Sequence, residues 1–160
     1  MIASRGSWVI ILSFACALLA VALPVPVALR VYLPDWPMLV LFYWVLALPT
    51  RVCVLTAYIV GMATDILDGS LVDATAVGST LAVLVLLVSY QRVRQFDLLQ
   101  QSLVIGLMVA VVHLAEQRLE VLLGWQHAGT AFLAPVIASM VFWLPVRNSL
   151  RALRRHYEVQ

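Results

Sequence analysis

Residues 75–90 read TAVGSTLAVLVLLVSY and residues 98–123 read LLQQSLVIGLMVAVVHLAEQRLEVLL, with only QRVRQFD between them. The first run carries no charge, and the second keeps its charges to its far end. Two long apolar runs joined by a short break bearing Arg92 and Arg94 read as two membrane helices connected by a tight turn. Four further apolar segments flank the pair: Trp8 to Val27, Met38 to Leu48, Val52 to Leu67 and Thr130 to Val146. The expected architecture is therefore all-α, a polytopic membrane bundle of about six transmembrane helices, the short second segment either crossing fully, tilting or re-entering.

Composition agrees. The chain is 64% apolar and 11% charged over 160 residues, against roughly 45–50% and about 25% in a soluble domain. A soluble fold of this length cannot bury so much apolar surface, so the excess faces lipid. No soluble domain, repeat or low-complexity tract interrupts the chain, and residues 1–160 read as a single integral membrane domain. The net charge of +2 is too small to argue for nucleic acid, and all ten basic residues are arginines placed mostly between or beyond the apolar runs. Anchoring to anionic headgroups is the simpler use.

Proline fits the first turn of a helix and not its interior. Pro37 is thus read as the start of the short second segment and Pro49 as its stop, while Pro145 marks the end of the sixth. Arg5, the apolar run Trp8–Leu19 and Ala20-Val21-Ala22 together resemble a cleavable signal. Five more apolar segments downstream favour an uncleaved signal anchor instead. With the N-terminus inside, Arg5, Arg51, Arg92, Arg94, Arg147, Arg151, Arg154 and Arg155 fall on cytoplasmic segments, leaving Arg30 and Arg118 outside. Eight against two places both termini in the cytoplasm. It also makes the acidic loop from Asp68 to Asp73 an outer loop.

A carboxylate at membrane depth is costly and marks a position of interest. Asp65 is such a group. Ala57, Gly61, Asp65 and Gly69 recur every four residues and share one helix face, where small side chains let a second helix approach closely. Asp65 reads either as a polar lock or relay, or as a hydrogen-bonding partner of a loop or helix end. Tyr43 and Trp44 lie mid-segment beside the proline stop, and their O–H and N–H groups need partners. Trp8, Tyr32, Trp36, Tyr90, Trp125 and Trp143 fit an aromatic belt. His113, Glu116, Gln117 and Glu120 form a polar stripe on the fifth segment. One helix supplies too few ligands for a metal, so interfacial pairing is the simpler reading there, and His127 is read as a headgroup-level side chain. Cys16 and Cys53 read as buried, space-filling thiols. Arg147, Arg151, Arg154 and Arg155 share one face of a short basic tail, residues 147–160, lying at the cytoplasmic surface as headgroup contacts. No nucleophile–base set, phosphate loop or lysine is present, so neither an enzyme nor a cofactor is expected.

The run Asp35-Trp36-Pro37-Met38-Leu39, followed by Leu41 to Val52 with Tyr43, Trp44, Pro49 and Arg51, closely resembles the second-helix signature of the rod shape-determining MreD family. Gly61, Asp65, Gly69 and Ser70 match the next element of that family. Asp73 departs from it, standing where the turn usually continues to glycine; Asp tolerates such turns. The resemblance covers essentially the whole chain. It implies a non-catalytic inner-membrane scaffold of the bacterial elongation machinery that binds MreC and helps couple MreB filaments to RodA and its partner transpeptidase. It also implies an architecture similar to that of vitamin-transporter substrate-binding subunits. The expected contact surfaces are the small-residue face around Asp65, the aromatics of the second helix, or both. The alternative is a small-solute binding or transport subunit, motivated by Asp65, His113 and Glu116.

Overall fold

The computed structural model describes residues 7–26, 29, 32–69, 74–124 and 133–157. Expectations for Arg5, Arg30, Ser70, Asp73, Trp125 and His127, and for the side chain of Glu120, lie outside the described residues. Among the described residues the chain is all-helical: α1 (Ser7–Ala22), α2 (Trp36–Ala47), α3 (Val54–Asp68), α4 (Ala74–Gln95), α5 (Leu98–Leu122) and α6 (Leu133–His156). By length and apolarity α4, α5 and α6 can each cross a membrane. The other three have 16, 12 and 15 residues, shorter than the ~20 of a straight span.

The shortest helix is the centre. α2 packs against every other helix, and its residues Pro37 to Leu46 are all buried. A helix that is apolar on every side belongs inside a bundle. Enclosed by protein, α2 need not match the bilayer's thickness. Pro37 sits in its first turn, and the helix stops before Pro49, with the Leu48 N–H closing back on the Trp44 carbonyl at 2.7 Å. Around this axis α3, α4, α5 and α6 pack in sequence order, and α1 lies against α2 and α3.

Two close approaches fix the wrap. A Cβ on Gly61 would stand 2.5 Å from the Ala76 Cα, and one on Gly78 would stand 2.9 Å from the Val112 carbonyl oxygen. Only glycine lets these backbones meet.

Two expectations are corrected here. Pro145 does not end the last helix but lies within it, and α6 runs on to His156. The arginine-bearing tail is a continuation of that helix, with Leu150 buried and Leu153 packed on the core. Cys16 and Cys53 are free but exposed, not buried. Apolar neighbours in sequence do not imply burial when one side of a helix faces lipid.

Candidate functional site

Asp65 is 3% exposed, and its carboxylate is held by the start of α4. The Thr75 N–H donates to Oδ1 at 3.3 Å and the Ala76 N–H to Oδ2 at 3.2 Å. These are among the first N–H groups of a helix, which lack partners within it. Asp65 thus caps α4 from the neighbouring helix, with its negative charge at the positive end of the helix dipole. One turn earlier Gly61 gives α4 room, and Ser79 Oγ donates to the Ala57 carbonyl at 3.0 Å. The small-residue face is thereby occupied within the chain. Gly69 serves a different purpose, ending α3 at φ 73° with its N–H directed at the Asp65 and Ile66 carbonyls.

The α2 aromatics also point inward. Trp44 is 0% exposed, and its indole N–H donates to Ser13 Oγ on α1 at 2.8 Å. Tyr43 is buried edge-on against Trp44. Trp36 is half-buried and meets Phe142 of α6 edge-on, with centroids 5.4 Å apart. Pro49 is half-buried, and Arg51 is exposed and donates to Ser7 Oγ at 3.3 Å. Direct contact with a partner needs exposed atoms. Asp65 and Trp44 have almost none, whereas Trp36 and Arg51 do.

The two ends of the bundle differ in charge. At one end Asp35, just ahead of α2, meets the polar stripe of α5. His113 Nδ1 lies 2.8 Å from Glu116 Oε2, and His113 Nε2 lies 3.7 Å from Asp35 Oδ2 without a hydrogen bond. The Asp35 N–H donates to Ser139 Oγ of α6. Burial pushes the Asp35 carboxyl up to about 6; His113 opposes the shift and Glu116 adds to it. These groups, with Thr64, Asp68 and Thr75, line a cavity of about 240 Å³. Among the described residues no group of three or more His, Cys, Asp or Glu is arranged to hold a metal ion.

At the other end Arg147, Arg151 and Arg154 turn toward Arg94 and Tyr43 around a second cavity of about 240 Å³, which Arg155 does not line. The start of α1 is at this end as well. Trp8 meets Tyr157 edge-on, at 4.8 Å between centroids.

A third feature is apolar. A groove of about 490 Å³ runs between α1 and α6, with Trp36 and Val40 of α2 as part of its lining. Its α1 wall carries Ser13, Cys16, Ala17 and Ala20, small residues at spacings of three and four that share a face. Neither this wall, nor the meeting of Asp35 with His113, nor that of Arg94 with the tail was apparent in the sequence. Only the small-residue spacing of α1 offered a local signal. The other two join residues far apart in the chain.

The comparisons with known proteins agree with this architecture. The family model described as rod shape-determining protein MreD matches residues 3–153. The chain is 30% identical over 155 residues to a rod shape-determining protein MreD of Haemophilus influenzae, covering 93% of this chain and 95% of that protein. No solved structure matches the chain. A match of this extent, on an all-helical chain with three helices able to cross a membrane, makes the chain a membrane protein of the MreD family of rod shape-determining proteins.

Proposed function

We propose that this protein is a non-catalytic inner-membrane scaffold of the rod complex and that the α1–α6 groove receives the membrane-spanning helix of MreC. The observation that carries this reading is the groove itself, an apolar groove of about 490 Å³ whose α1 wall includes the small residues Ser13, Cys16, Ala17 and Ala20. In lipid, helices associate by close packing rather than by the hydrophobic effect, and small residues permit that packing. Asp65, Gly61 and Trp44 then act indirectly, by fixing the bundle that shapes the groove, while Trp36 contributes to its lining. Arg51, Arg94 and the arginines of α6 mark the cytoplasmic end, with both termini on that side. Through MreC the protein helps couple MreB filaments to RodA and its partner transpeptidase during wall growth.

The native thiol of Cys16 lines the groove and is exposed, so it supplies the test. With Cys53→Ser as background, a short thiol cross-linker in native membranes should capture MreC from Cys16. Cys16→Leu combined with Ser149→Leu should cut the MreC that co-purifies at least tenfold while the protein still inserts. Undiminished MreC in that variant would remove the groove as its seat. Normal rod shape after depletion of the protein would remove the scaffold reading altogether.

One observation favours a second reading, a small-solute binding subunit. The cavity at Asp35, His113 and Glu116 sets these polar groups in a largely apolar lining, and His113 Nε2 is buried there without a hydrogen-bond partner. A saturable thermal shift with a small cationic or hydrogen-bonding solute, abolished by His113→Ala, is its expected signature.

A further inference from the structure

The arginine-lined cavity contains more than a topology signal requires. Four helices contribute to its open-sided lining: Tyr43 comes from α2, Arg94 from α4, Gln101 from α5, and Trp143, Arg147, Arg151 and Arg154 from α6. Among the described residues no carboxylate lines it. Guanidinium groups gathered around one space repel each other unless an anion lies between them, and their planar donors suit phosphate oxygens.

Two buried atoms point the same way. Trp143 is 0% exposed and Gln101 is 4% exposed, and both line this cavity. The Trp143 Nε1–H has no acceptor and Gln101 Oε1 has no donor, although Gln101 Nε2 donates to the Val93 carbonyl at 3.2 Å. Buried polar atoms are nearly always paired, and each exception needs an explanation. Among the described residues three buried side-chain atoms lack a partner, and two of them are here. On the scale where one water needs roughly 10–15 Å³, a cavity of about 240 Å³ has room for a whole chemical group.

The occupant must bring negative charge for the arginines, an acceptor for the indole N–H and a hydroxyl donor for Gln101. A phosphate ester with a hydroxyl on or beside it meets all three needs. The location selects the source. Arg94 is in the last turn of α4, and Arg147 to Arg154 lie in the second half of α6. This is where apolar spans give way to charge, at headgroup depth. We propose that the cavity is a specific site for the phosphate head of an anionic, hydroxyl-bearing phospholipid, held by side chains of four helices with its open side toward the headgroup layer. The site is independent of the groove and of what that groove binds.

Native mass spectrometry of the full-length protein tests the proposal, with phosphatidylglycerol, phosphatidylcholine and glycerol 3-phosphate as probes. The wild type should retain one phosphatidylglycerol at a concentration at least tenfold below that needed for phosphatidylcholine. Arg147→Gln with Arg151→Gln should abolish this preference, and Arg94→Gln alone should reduce it several-fold. Arg92→Gln, an exposed arginine on α4 that does not line the cavity, should leave it intact. If the paired variant fails to fold, Arg94→Gln against Arg92→Gln still decides the matter. Displacement by micromolar glycerol 3-phosphate would assign the site to a soluble phosphate ester and overturn the lipid source. Equal retention of both lipids, or variants that lose an acidic protein partner and no phosphate compound, would overturn the site.

Discussion

Asp65 illustrates how a buried charge is held by geometry. Its two oxygens accept from the first turn of α4, so removing them leaves two N–H groups unpaired in a dry interface. Replacing a cap costs about 0.5–2 kcal/mol, and an orphaned buried donor costs about 1–3 kcal/mol. We therefore expect Asp65→Leu to lose roughly 2–4 kcal/mol and Asp65→Asn about half of that, measured by unfolding in detergent. An Asn variant as damaged as Leu would argue against capping. Asp35 gives a pH signature. Its carboxyl titrates near 6 in the fold against 3.8 when unfolded, so the folded state holds the proton more tightly. Its contribution is complete below pH 3.8 and is lost as pH rises through about 6. The groups facing it are His113 and Glu116 of α5 and Asp68 at the end of α3. Asp35→Asn should therefore stabilise the protein more at pH 7.5 than at pH 4.5, by on the order of 1–3 kcal/mol. An equal effect at both pH values would contradict the assignment.

At the scale of the helix, α2 is the element whose environment differs most from its neighbours'. Its twelve residues rise about 18 Å, and its sides are covered by protein. A lipid-soluble maleimide should label cysteines placed at Val88 or Val141, both exposed, and should leave those at Leu41 or Val45 unlabelled. Labelling throughout α2 would mean that the helix borders lipid. The limits of α2 were legible from Pro37 and Pro49 because backbone chemistry is local. The same rule failed at Pro145. A proline removes one N–H and crowds the carbonyl four residues back, yet α6 continues because Leu150 and Leu153 are held by the rest of the bundle. That restraint is tertiary, and no local pattern contains it. The shared face of Gly61 and Asp65 was legible from four-residue spacing, whereas its occupant was not. Cys16 and Cys53 show a related limit: apolar segments face either core or lipid, and composition does not distinguish them.

The whole molecule has a basic end and an acidic end. Ser7, Arg51, Arg94 and the arginines of α6 gather at one, and Asp35, Asp68, His113 and Glu116 at the other. The Trp8–Tyr157 contact brings the start of α1 and the end of α6 together at the basic end. Reporter fusions at the two termini should consequently report the same side, the cytoplasm if arginine placement governs insertion. Opposite signals from the two fusions would break the bundle as described. Arginine counting anticipated this polarity, but not that the arginines converge on one cavity, because Arg94 and Arg147 are 53 positions apart in sequence. The central helix lies between the two cavities, with Asp35 and Trp36 lining one and Tyr43, Leu46 and Ala47 the other. Trp36 and Tyr43 are seven residues apart, so along α2 the two polar cavities are separated by only about 10 Å of helix, against the ~30 Å of surrounding hydrocarbon. Where polar surroundings reach in from both ends, the transmembrane potential is concentrated over that shorter stretch, and the field along α2 is stronger than in the neighbouring bilayer.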